Sequence, residues 1–253
     1  MDARLEAVLA SRDPARLEEH LVAESGLPGP RLNLRLVDAV ATAVGTHPDL
    51  LEPLMPRWLA IPPDRVPVAD PRVILPCSAA VGYGELAVVK PDRFDEVDNT
   101  LYGAATDGRW RVREAVTLGL QRMLRADWDA TAAVLLGWAD DDDPLVVRAA
   151  AAGVAEPPLL KKHKHATTSL EIQRRAAHML HAVPAARRQT EPVRVLRQSL
   201  GFTISVAVAA TGDFALMREL AGSGDADLEW VVRENLKKSR LSAWPDEVAA
   251  MRR

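Results

Sequence analysis

The chain has 253 residues, 48% of them hydrophobic and 26% charged, with a formal net charge of -3 and a single cysteine. That balance suits a packed protein and argues against disorder, and the lone Cys77 excludes an intrachain disulfide framework and a cysteine-rich zinc site. No apolar run approaches the roughly 18–20 residues that cross a bilayer, and Met1-Asp2-Ala3-Arg4-Leu5-Glu6 has no apolar signal core, so the expectation is a cytoplasmic protein with no membrane partner.

Charge is distributed unevenly. Residues 1–155 hold 16 Lys/Arg against 24 Asp/Glu, residues 156–201 hold 9 against 3, and residues 202–253 hold 7 against 8. A globally basic nucleic-acid binder is thereby disfavoured. One basic stretch, which also carries His163, His165, His178 and His181, can meet an acidic partner locally.

In chain order, helical periodicities come in pairs. Pro14–Glu24 is followed by a segment around Leu36-Val37. Pro48–Ala60 is followed by one opening at Asp70-Pro-Arg-Val73, after a proline-rich loop, Ala60–Ala69. Asp92–Ala105 precedes Asp107-Gly-Arg-Trp-Arg-Val-Arg113, and Trp128–Ala139 precedes Asp142-Asp-Pro-Leu-Val-Val-Arg148. Glu156–His165 then interrupts the pattern and reads as an inserted loop. Leu170–Val183 precedes Glu191-Pro-Val-Arg194, and Phe214–Ala221 precedes Asp225-Ala-Asp-Leu-Glu-Trp-Val-Val-Arg233. The anchor valines Val37, Val73, Val112, Val147, Val193 and Val232 are spaced 36, 39, 35, 46 and 39 residues apart. An acidic residue or proline before each anchor suits a helix start, because a carboxylate accepts orphan backbone N–H bonds and proline fits the first turn. No segment has a clear period of two. Phe202–Ala210 could pass for a strand, but its place inside the fifth unit predicts a buried helix.

These Asp-x-x-Val-Arg-like starts, with the Ala/Gly/Leu helices that follow, resemble the HEAT-repeat family. The resemblance implies an all-α fold, a HEAT-like α-solenoid of about six antiparallel helix pairs in one domain over residues 1–253. The units run approximately over residues 14–46, 48–89, 92–125, 127–155, 166–211 and 213–240, with a loop insertion at 156–165. It also implies a noncatalytic scaffold or adaptor whose partner is a protein, bound on the concave face or through the basic loop, with nucleic acid as the alternative partner.

The candidate binding residues are Arg113, Arg148 and Arg233, which recur once per repeat with Arg194, and Lys161, Lys162, His163, Lys164 and His165 of the insertion. Repeated arginines can form a basic ladder, or each can pair with an acid at the preceding turn. Two histidines among lysines make a poor metal site, since the ammonium groups repel a cation. Asp140-Asp-Asp-Asp143 lacks calcium-loop spacing and reads as a turn and helix cap. His178 and His181, three apart, share a helix face. No metal or cofactor is expected. Trp58, Trp110, Trp128, Trp138 and Trp230 are expected to fill gaps between helices, and Trp110 and Trp230 each stand three residues before a repeat arginine, which argues for packing.

The chain carries no Gly-x-Ser-x-Gly, P-loop, Gly-x-Gly-x-x-Gly or His-Glu-x-x-His motif. Phe94-Asp-Glu-Val-Asp98 resembles a stretch of the HEAT-like alkylpurine DNA glycosylases. That resemblance implies base excision, with Asp98 stabilising the cationic sugar, Trp110 and Trp138 against DNA, and Arg148 completing the site.

Overall fold

A computed structural model describes residues 3–251, and every regular element among them is helical. Met1 and Asp2, the head of the segment read for a signal core, lie outside the described residues. Contacts gather into two compact units, one ending at Ala126 and one beginning at Asp127.

The first unit contains α1 (Ala3–Ala10), α2 (Pro14–Ala23), α3 (Leu34–Ala43), α4 (Pro48–Leu51), α5 (Leu54–Leu59), α6 (Ile74–Val89), α7 (Phe94–Ala104) and α8 (Trp110–Ala126). Its helix starts follow the acidic and polar residues of the repeat. Asp13 accepts from the backbone N–H groups of Ala15 and Arg16, Asn33 from Leu36, and Asp70 from Arg72, each satisfying an amide that has no intrahelical partner. The expected single stretch 48–60 is two short helices, α4 and α5, with Pro53 at the junction, where it lacks a donor to continue the first. The Ala60–Ala69 stretch is irregular, as its prolines imply.

Helix α6 is buried along nearly its whole length and packs against α3, α5 and α8. Its approach to α8 depends on glycine: a Cβ on Gly84 would stand 2.3 Å from the Gly119 carbonyl oxygen, and one on Gly119 would stand 2.7 Å from that of Ala80. Arg122 of α8 closes the same seam, pairing with Glu85 of α6 and, at 2.6 Å, with Asp38 of α3. Cys77 lies in this core, and burial pushes its thiol up to about 12, so it remains a small apolar side chain rather than a nucleophile.

The second unit contains α9 (Trp128–Trp138), α10 (Pro144–Gly153), α11 (His163–Ala182), α12 (Glu191–Thr211), α13 (Ala215–Ala221), α14 (Ala226–Asn235) and α15 (Pro245–Met251). Helix α12 is the centre, packed against α10, α11 and α14. Phe202–Ala210 falls inside it, so the helical reading of that apolar stretch holds. Buried amides tie the packing. Gln173 of α11 donates to the Ala151 carbonyl of α10 at 2.8 Å and accepts from Thr203 of α12 at 2.6 Å. Asn235 of α14 donates to the Leu200 carbonyl of α12 at 2.7 Å and accepts from the Ser205 amide at 2.8 Å. Gly212 ends α12 with φ of 72°, the left-handed cap that glycine adopts without a Cβ clash.

Two sequence expectations are corrected. Pro71–Val89 and Glu191–Thr211 are long and apolar enough to cross a bilayer by length and composition, although charged residues such as Glu85 and Arg197 interrupt their apolar runs. Both are largely buried in their own units, 78% and 61% over the most apolar stretch. The segment 156–165 is not an inserted loop. Pro157–Lys161 forms a 3-10 turn with Leu159 and Leu160 buried beneath it, and α11 already begins at His163.

Candidate functional site

The basic segment is built into the second unit more tightly than its composition suggests. The ring of His165 stacks on Trp128, with centroids 4.1 Å apart and planes 5° from parallel, and its Nδ1–H donates to the Leu159 carbonyl at 3.0 Å. Lys164 reaches Asp129 at 2.8 and 2.9 Å, and its ammonium holds that carboxyl below the usual range. His165 and Lys164 therefore serve the α9–α11 contact. Lys161, Lys162 and His163 remain exposed, and neither lysine makes an ion pair among the described residues.

The arginine ladder does not form one equivalent set. Arg113 and Arg148 are only 4% and 7% exposed, which removes both from any contact surface. Arg113 donates from Nη1 to the Asp107 carbonyl at 2.8 Å, turning back on the turn before its own helix. Arg194 and Arg233 are exposed, with Arg233 3.6 Å from Glu229 one turn earlier. The recurring acid of the repeat is a cap: Asp107 accepts from Arg109 N at 2.7 Å, Asp143 from Leu145 N at 2.8 Å and Asp225 from Asp227 N at 2.9 Å. The Asp140–Asp143 run does the same work, with Asp141 accepting from the Asp143 amide and Asp140 pairing with Arg175. Among the described residues no three His, Cys, Asp or Glu side chains gather as metal ligands.

The strongest electrostatic cluster lies at the start of α14. Asp225 is buried, accepts from Arg188 at 2.6 Å and faces His181 at 3.1 Å. The Arg188 guanidinium, helped by the Asp227 amide and His181 and opposed by burial, holds its carboxyl far below the usual range. Asp227 then binds Arg188 at 3.3 Å and Arg197 at 2.6 Å, and Arg197 lies over the Trp230 ring, 4.5 Å from its centroid. His178 pairs with Glu219 at 2.8 Å. The carboxylates of Asp225 and Asp227 are matched within the unit, while Arg197 pairs through Nη1 and leaves its buried Nε without a hydrogen-bond partner; the cluster joins α11, α12 and α14.

The residues of the base-excision reading are divided between the two units. Trp138 and Arg148 are buried in the second unit, where neither can present a face to a base. Asp98 is half-buried on α7 of the first unit. Trp110 is the first residue of α8 and is 49% exposed, so its expected packing role is corrected.

Trp110 belongs instead to an open groove of about 530 Å³ in the first unit, lined by Arg31, Leu34, Arg35, Arg111 and Leu118 as well as the indole, but not by Asp98. Leu34 is 51% exposed. The Arg111 guanidinium lies 4.4 Å from the Trp110 ring centroid, and its Nε donates to the Val68 carbonyl at 3.1 Å. Sequence reasoning passed over Arg31, Leu34, Arg35 and Leu118. Helical spacing puts Leu34 on the face of buried Val37 and Ala41, so periodicity predicts it buried. It is instead the first residue of α3 and stands open in the groove.

No family model matches the chain, and no curated protein does. Among solved structures, a crystal structure of an engineered protein is similar over 99% of this chain and 98% of that one, at 15% identity and a TM-score of 0.37, and nothing about this chain is argued from it.

Proposed function

We propose that this protein is a noncatalytic HEAT-like α-solenoid, a series of six helix pairs, that binds another protein on a preformed surface. The observation that supports it is the order of packing within each unit. The helices that carry or directly follow the recurring anchor valines lie side by side, α3 on α6 on α8 in the first unit and α10 on α12 on α14 in the second. Stacked repeats pack in that way, each against its neighbours, and they present extended rigid surfaces that lose little entropy on binding. Lys161, Lys162, Arg194 and Arg233 supply exposed positive charge for an acidic partner, with the exposed His163 ring beside them.

The test is affinity purification of the tagged full chain from its native host, repeated across a salt series. A protein retained in stoichiometric amount through moderate salt supports the reading. Retention of nucleic acid with affinity falling steeply with salt overturns it in favour of nucleic-acid binding. Release of alkylated bases that disappears in Asp98→Asn overturns it in favour of base excision.

A further inference from the structure

We infer that the groove between the first turns of α3 and α8 docks an acidic, amphipathic peptide segment of the partner. Apolar side chains sit on Leu34, Leu118 and Trp110, and carboxylates meet Arg31, Arg35 and Arg111. This rests on the protein-binding reading above and assigns it a place and a chemistry.

The apolar half of the argument is exposure. Five large apolar side chains stand exposed among the described residues; Leu34 and Trp110 are the two most exposed, and these two share one groove. A lining left this open would not enclose a small molecule, which buries most of its own surface when bound. An extended segment laid across it would cover both residues. Trp and Arg are also the side chains that most often anchor protein contacts.

The charged half is complementarity. Three guanidinium groups line the groove against one carboxylate, that of Glu114. Arg31 and Arg35 make no ion pair among the described residues, and Arg111 is already held in place by the indole and the Val68 carbonyl. Helices α3 and α8 both begin here, so the positive ends of two helix dipoles add to the same field. Guanidinium groups match carboxylates in geometry as well as charge. A nucleic acid would need positive potential along its track, whereas residues 1–155 carry 16 basic against 24 acidic residues. A short acidic segment needs the positive charge only at the groove.

Selection of a displayed random dodecapeptide library on the full chain tests the assignment, with Trp110→Ala, the pair Arg31→Glu/Arg35→Glu and Lys161→Glu/Lys162→Glu as parallel baits, each checked by circular dichroism for the native helical signal. The expected result is enrichment of peptides that place Leu, Ile or Phe beside Asp or Glu. Their affinity should fall about tenfold or more in the first two variants, as for loss of an anchor residue, and stay unchanged in the lysine pair. The Arg31→Glu/Arg35→Glu bait should select basic peptides in their place. Enriched peptides that are insensitive to the groove variants but lost in the lysine pair would overturn the groove while leaving the protein-binding reading intact. Enrichment of neutral or basic motifs on the native chain, or no enrichment at all, would also overturn it, and co-purification from the host would then judge the broader reading by itself. Binding of single-stranded oligonucleotide in competition with the peptides would overturn both.

Discussion

Trp110 and Trp230 occupy the same position in their repeats, three residues before an arginine, and each carries an arginine stacked on its ring. Their surroundings are inverted. In the first unit the tryptophan is open and its arginine, Arg113, is buried; in the second, Trp230 is half-buried and Arg233 is exposed. The cause is local. A Cβ on Gly201 would lie 3.1 Å from the Trp230 ring, so α12 offers the indole a flat glycine surface to cover it, while Trp110 faces the groove beside Arg31–Arg35. A repeat position therefore sets the backbone and the approximate direction of a side chain. Whether that side chain is structural or available is decided by the neighbour across from it.

The comparison can be broken at its buried members first. Asp225→Asn should destabilise the second unit by about 3 kcal/mol at neutral pH, the usual size for removing one partner of a buried ion pair that also caps a helix. Because the native carboxyl titrates lower than in the unfolded chain, its contribution is present above about pH 4, the unfolded carboxylate value, and declines as pH falls toward the native pKa. Urea unfolding over a pH series should show the gap between native chain and variant closing only in acid. Constant separation down to strong acid would mean that the carboxylate is not what holds the cluster.

Arg113→Ala should cost about 2–3 kcal/mol, by leaving the Asp107 carbonyl unmatched and a space in the core, and Arg233→Ala should stay within about 0.5 kcal/mol, as exposed substitutions do. Equal effects in thermal unfolding would erase the inversion. Trp230→Ala should lose about 2 kcal/mol, less than a fully buried tryptophan would, and Trp110→Ala should leave unfolding within about 0.5 kcal/mol of the native chain. Gly201→Val should lower stability by about 1–2 kcal/mol through overpacking against the indole, with a shift in the Trp230 environment visible by fluorescence. The smallest effect belongs to Lys164→Ala, which should leave the unfolding midpoint unmoved because the ion pair with Asp129 is open to solvent on both sides.

Much of the secondary structure was legible because it follows from short-range rules. Asp143 before Pro144, and Asp225 before a Leu-x-x-Val spacing, announce helix starts through capping chemistry alone, and both residues make the expected bonds. The segment 156–165 misled because two adjacent prolines, three lysines and two histidines look like a surface loop. Leu159 and Leu160 turn it inward, and Trp128, thirty-seven residues before His165, gives that ring a stacking partner no local pattern could indicate. The groove was illegible for the opposite reason. Leu34 and Trp110 obey helical periodicity and ought to be buried, but each is the first residue of its helix.

By itself, then, the sequence determined an all-helical chain, the places where most of its helices begin, and the acids that cap them, because these depend on backbone hydrogen bonds and side-chain periodicity within a few residues. Tertiary structure alone decided which repeat arginines are buried, that the basic segment is partly consumed by Trp128 and Asp129, and that Trp110 opens beside three arginines. Each of those outcomes depends on what stands across the packing interface, often tens of residues away, and repeat spacing carries no record of it.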